Sequence, residues 1–110
     1  MARFVKHELD FSCPLQLAIH LAGGRWRTLI IYRIGKGIRR FGELKLAVDG
    51  ISVRVLAQEL KTLREFGFID RKVFAEVPPR TEYTLTRDGQ ALFQALDPLR
   101  RWGMRYKKAA

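Results

Sequence analysis

A chain of 110 residues, 47% of them hydrophobic, is long enough for one folded domain and too apolar for disorder to be its main state. Its net charge of +10, from 21 lysines and arginines against 11 acidic residues, favours a polyanionic partner through counterion release; charge alone fits DNA, RNA or an anionic membrane surface. No apolar run approaches the roughly 18 residues that cross a bilayer, and one cysteine, Cys13, with two distant histidines, His7 and His20, excludes an intrachain disulfide and a structural zinc site.

Residues 1–13 read as an N-terminal arm. Its start, Met1-Ala2-Arg3-Phe4-Val5-Lys6, lacks the apolar core of a signal peptide, so a reducing, cytoplasmic setting is expected. A first helix is predicted from Pro14, since proline suits the first helical position, to Gly23-Gly24. Only Gln16 and His20 are polar between Leu15 and Ala22. A short helix so apolar needs cover on more than one side, which suggests a subunit interface through Leu15 and Ile19. A second helix covers Arg25 to Ile34, with Trp26, Leu29, Ile30 and Ile34 on the inward stripe and Arg25, Arg27 and Lys36 left free. Six basic residues and no acidic one lie between Arg25 and Arg40.

A third helix is predicted from Phe41 to about Val48, with Phe41, Leu44 and Val48 inward, closed by the Asp49-Gly50 turn. Ser52 then caps a fourth helix that runs to Phe66 and stops at Gly67. Its inward stripe is Leu56, Leu60 and Leu63 with Val53 in part; Arg54, Gln58, Lys61 and Glu65 lie off it. Beyond Gly67 the period becomes two: Ile69, Arg71, Val73, Ala75 and Val77 face one way, and Asp70, Lys72, Phe74 and Glu76 the other. A tip at Pro78-Pro79-Arg80 and a second strand with Thr81, Tyr83 and Leu85 on one face complete a hairpin. Thr86 caps a last helix whose apolar positions, Leu92, Leu96, Leu99, Trp102 and Tyr106, exceed what so small a core can cover. Pro98 is a place where it can bend.

The order of elements implies a mainly helical α+β protein, a winged helix-turn-helix with three N-terminal helices, a two-stranded wing and a long C-terminal dimerisation helix. The expected division is an arm at 1–13, a winged core at 14–85 and the dimerisation helix at 86–106, in one domain of 1–110. A short third helix and a tight turn set the fourth at an angle that lets its N-terminal part enter a major groove. There Ser52, Arg54 and Gln58 are donors, arginine forking to guanine and glutamine pairing with adenine. Lys61, Arg71, Arg80 beside Pro79, and Arg40 are candidates for neighbouring phosphates.

Cys13-Pro14, Gly23-Gly24-Arg25-Trp26, Arg40-Phe41-Gly42-Glu43-Leu44, Gly50-Ile51-Ser52, the Arg54…Leu56…Leu60…Leu63 frame and Val77-Pro78-Pro79-Arg80-Thr81-Glu82-Tyr83-Thr84-Leu85-Thr86 appear in the order and spacing of one family. Over roughly nine-tenths of its length the chain resembles the HxlR family of winged-helix regulators, which belongs with the MarR-like proteins. The resemblance implies a cytoplasmic homodimer that binds a double-stranded DNA operator. It also implies that the first and last helices form the dimer, the fourth helix reads DNA and the Val77–Thr81 wing touches the backbone. Val53 departs from the pattern, since relatives often carry a polar side chain there; a thymine-methyl contact is one use for it.

Cys13 has two readings. At the N-cap of the first helix, unpaired N–H groups and the helix dipole favour a thiolate, and some relatives use a cysteine here to sense oxidants or electrophiles. A small, packed, inert thiol is the other. No nucleophile elbow, metal-protease or phosphate-loop pattern is present, so an enzyme is not expected, nor is a cofactor; any small-molecule effector is left unknown. Non-sequence-specific binding of RNA or DNA is the alternative function.

Overall fold

The computed structural model describes residues 12–107. Most of the arm, residues 1–11, lies outside them. Four helices, one more than the three N-terminal helices of the expected plan, precede a hairpin and one follows among the described residues: α1 (Pro14–Ala22), α2 (Gly24–Gly35), α3 (Phe41–Ala47), α4 (Val53–Glu65), β1 (Ile69–Phe74), β2 (Arg80–Leu85) and α5 (Arg87–Met104). The predicted starts hold for local reasons. Pro14 opens α1 with Cys13 as N-cap. The Ser52 hydroxyl accepts from the Val55 N–H at 3.1 Å, and the Thr86 hydroxyl from the Gly89 N–H at 3.0 Å, each satisfying a donor that the first turn leaves open.

The core gathers round α2, which touches α1, α3, α4, β2 and α5. Ile30, Ile31 and Ile34 share one buried cluster with Leu44, Val48, Ile51, Leu56, Leu60, Leu63, Phe68, Ile69, Tyr83 and Leu96. Burying each such side chain stabilises the fold by about 1.5–3 kcal/mol. Here the single-stripe expectation for α2 fails: Leu29 is 40% exposed, whereas Ile31 is fully buried. A helix with neighbours on so wide an arc buries adjacent positions, and Leu29 turns instead into a shallow groove against α5.

The strands pair antiparallel, from Ile69 opposite Leu85 to Phe74 opposite Arg80. The alternation predicted through Val77 ends sooner. Continuing the register would set Ala75 opposite Pro79, which has no N–H to give; Glu76 N–H turns back to the Phe74 carbonyl at 2.9 Å instead. The Val77–Pro78 peptide is cis.

Two further contacts fix the wing to the helices. Tyr83 N–H donates to the Arg39 carbonyl at 2.8 Å, so the segment entering α3 lies along β2, with Arg40 bridging to Glu82. At the other end Thr86 Oγ1 donates to the Gly67 carbonyl at 2.6 Å and Thr86 N–H to the Phe68 carbonyl at 3.0 Å. Gly89 lies so close there that a Cβ would stand 1.9 Å from the Phe68 carbonyl oxygen. The first turn of α5 is thereby pressed against the junction of α4 and β1. The helix continues through Pro98 to Met104.

Candidate nucleic-acid interface

At 100° per residue, Leu56, Leu60 and Leu63 of α4 cluster on one side and Arg54, Gln58 and Lys61 on the opposite side. The three leucines are buried and the three polar residues exposed. No ion pair or side-chain hydrogen bond to Arg54, Gln58 or Lys61 occurs among the described residues. Their donors face solvent. Val53, in the first turn, is 58% exposed, an apolar contact point beside the Ser52 cap. Toward the C-terminal end of α4, Lys61 and Arg64 face Arg71 of β1 across an open notch that also contains Glu65 and Asp70.

The wing is wired differently. Arg80, expected as a free phosphate donor, has its Nη2 3.2 Å from Glu76 Oε2 and its Nε 3.3 Å from Glu82 Oε2. The second contact has the distance of an ion pair without the angle of a hydrogen bond. The guanidinium also lies 4.0 Å from the Phe74 ring centre, with Lys72 Nζ at 4.9 Å. Arg40 shares Glu82, its Nε 3.8 Å from Oε2, while its N–H donates to Glu43 Oε1 at 3.4 Å in the first turn of α3. Arg71 is exposed, and Pro79 is exposed at the tip.

Arg27, expected to be free, is the second correction. Its Nε donates to Glu59 Oε1 of α4 at 2.9 Å, and its Nη1 to the His20 carbonyl of α1 at 3.2 Å. In the sequence Arg27 stood out only as free, and Glu59 not at all. The available signal was a cation in a basic run and a carboxylate on the next helix but one, each beside an apolar stripe.

Apolar side chains are exposed on the first and last helices. No residue of α1 is buried, and Leu15 and Ile19 are exposed. On α5, Leu99, Trp102 and, just beyond it, Tyr106 are exposed, with the Trp102 and Tyr106 rings 5.1 Å apart. Leu96 is buried in the protomer's own core and Leu92 packs half-buried against it, so these two offer little to a partner. Between α2 and α5 runs an apolar groove floored by Leu29, Tyr32, Leu96 and Leu99. Cys13 is exposed at the α1 N-cap with no side-chain capping bond. Among the described residues no group of three or more metal-ligating side chains forms, and no helix is long and apolar enough to cross a membrane.

Comparison with known proteins agrees with this geometry. A family model described as HxlR-like helix-turn-helix matches residues 21–110. An uncharacterised HTH-type transcriptional regulator of Methanothermobacter thermautotrophicus is 36% identical over 97 residues, covering 88% of this chain and 74% of the relative. The solved structure of the reduced transcriptional regulator YodB of Bacillus subtilis superimposes with a TM-score of 0.73 at 33% identity, over 89% of this chain and 97% of that one. The redox regulator HypR in its oxidised form gives 0.81 at 30% identity, over 88% and 100%.

Proposed function

The chain belongs to the HxlR-like helix-turn-helix family of transcriptional regulators, and from that premise we propose that it acts as a homodimer reading a double-stranded DNA operator through the outward face of α4. The observation that carries this is the opposition on α4 itself. Leucines root one side in the core, and Arg54, Gln58 and Lys61, without side-chain partners among the described residues, occupy the other. Arg54 is the guanine-reading group and Gln58 the adenine-reading group, with Ser52 and Val53 at the groove edge. Lys61, Arg71 and Arg40 serve phosphates, and the Pro79-Arg80 tip lies alongside the backbone. Residues 14–85 form the DNA-binding winged core and 86–106 the dimerisation helix. The reducing cytoplasm, where DNA is reached, is the proposed setting.

Dimerisation is supported by apolar surface that the protomer leaves uncovered: Leu15 and Ile19 on α1, Leu99, Trp102 and Tyr106 at the end of α5. Exposed patches of this kind mark association sites. Cys13 lies at the start of α1 and is exposed, which favours a responsive thiol over a packed, inert one. With one cysteine per chain, oxidation by diamide joins Cys13 to a thiol of a second molecule, the two thiol hydrogens reducing the diamide. Cys13→Ser is expected to bind DNA normally and to lose the response to diamide; an unchanged response in the mutant removes Cys13 from the scheme.

The deciding experiment is a gel shift with the duplex flanking the chain's own gene, competed at fixed salt by random duplex and by RNA. Preference for one duplex is the expected result. A steep salt dependence with no preference would favour general nucleic-acid binding, the reading that net charge alone supports.

A further inference from the structure

Arg27 lies in the first turn of α2, where α1, α2 and α4 converge. Its guanidinium is divided between two neighbours: Nε to the Glu59 carboxylate of α4 at 2.9 Å, and Nη1 to the His20 carbonyl near the end of α1 at 3.2 Å. The side chains of Arg27 and Glu59 are only 22% and 23% exposed. The Arg27 guanidinium also stands 5.2 Å from the ring centre of Phe66, the C-cap of α4. The backbone makes room for it. Gly23, between α1 and α2, has φ +47°, and a Cβ there would stand 2.5 Å from Arg27 Nη1.

This arrangement addresses a weakness of the fold. With no buried residue of its own and half-buried Leu21 packed against the core, α1 is only lightly anchored there, yet it starts at Cys13 and carries part of the proposed dimer surface. A planar guanidinium can hold a carboxylate and a carbonyl at once in fixed geometry, which a lysine ammonium does less well. Glu59 is next to Gln58 and five residues after Arg54 on the same helix. A shift of the Glu59 anchor is therefore a shift of the base-reading side chains.

We propose that Arg27 is a positioning residue for DNA reading, fixing the pose of α4 relative to α1 so that displacement of α1 is transmitted to Arg54 and Gln58. The inference rests on α4 being the base-reading helix. It concerns discrimination between duplexes, not charge. Arg27→Lys keeps the net charge, and Glu59→Gln raises it by one while weakening the same link.

The test measures affinity for an operator duplex, selected from random sequence with the unmodified protein, and for random duplex at one salt concentration. Thermal unfolding is followed for every variant. Arg27→Lys is expected to lower operator affinity about ten-fold, the size of a lost charge-assisted bond, and to leave random-duplex affinity within about two-fold. Glu59→Gln is expected to lower operator affinity while raising random-duplex affinity, a split that general destabilisation does not produce. The double variant is expected to be no worse than the poorer single, because both remove one link. Gly23→Ala, which crowds the guanidinium from the α1 side, should reproduce the loss in the original background and add nothing to Arg27→Lys. A discriminating parent protein with an Arg27→Lys variant that discriminates equally well overturns the inference alone. So do single losses that simply add. A parent protein that prefers no duplex overturns the base-reading role, and this inference with it.

Discussion

The outward face of α4 and the tip of the wing carry similar cations and hold them in opposite ways. Arg54 and Lys61 are exposed and form no ion pair among the described residues. Arg80 lies between Glu76 and Glu82 and against Phe74, and Arg40 shares Glu82. A free arginine offers its whole donor fork to a base edge. A paired one must first exchange a partner, and near the tip Lys72 and Arg80 are matched by Glu76 and Glu82. In the proposed complex the difference separates two roles: α4 would recognise, whereas the wing would hold its own shape and add little net field. Charge density along the sequence hides this, because it counts Arg54 and Arg80 alike.

That contrast can be broken at several points. The largest expected effect is on stability: Leu60→Ala, beneath the reading face, should cost about 2–5 kcal/mol because it opens a cavity in the core. Phe74→Ala at the partly exposed wing should cost well under half as much. Chemical denaturation compares the two, and equal losses would mean that the wing is as deeply rooted as α4. Next comes recognition. Arg54→Ala and Gln58→Ala should each weaken operator binding by about 1–3 kcal/mol, the value of a bidentate base contact, with far less effect on random duplex.

Glu82→Gln tests the wing with the opposite sign. Loss of the shared carboxylate frees Arg40 and leaves Arg80 with Glu76 alone, so random-duplex affinity should rise several-fold and the salt dependence steepen by about one counterion. A weaker complex would show that the clamp itself is what DNA requires. The smallest effect separates two arginines of one hairpin. Arg71→Ala should reduce the slope of log affinity against log salt by about 0.9, and Arg80→Ala by less than half of that.

Much of this fold is legible in the sequence, because caps and periods are local properties. Pro14, Ser52 and Thr86 start helices where expected, and the α4 leucines reveal both of its faces. The uncovered apolar positions Leu15, Ile19, Leu99, Trp102 and Tyr106 were also recognisable as surplus to a small core. Leu29 and Ile31 were not assignable by period, since α2 is enclosed on several sides and a single stripe no longer describes it. Leu92 and Leu96 belong to the same long apolar row as Leu99, and only the packing of α5 on α2 divides that row into core and surface. The Arg27–Glu59 pair spans 32 residues, and it depends on how two helices cross. The Arg80–Glu82 pair escapes for a different reason: the sequence pattern puts Arg80 at the tip, whereas it begins β2, where residues two apart share a face.

Gly89, pressed against the Phe68 carbonyl, has a mechanical consequence. With no room for even a methyl group there, the start of α5 is welded to the base of the wing and the end of α4, so helix and reading head move as one piece. The 18 residues of α5 make a lever about 27 Å long. In the proposed dimer its far end is gripped by the partner, and a tilt of about 10° at that grip would swing the near end by about 5 Å, more than one base-pair step of about 3.4 Å. Two such levers meeting at their tips act as calipers: a slight change in the angle of the joint resets the gauge, and with it the operators that the pair can span.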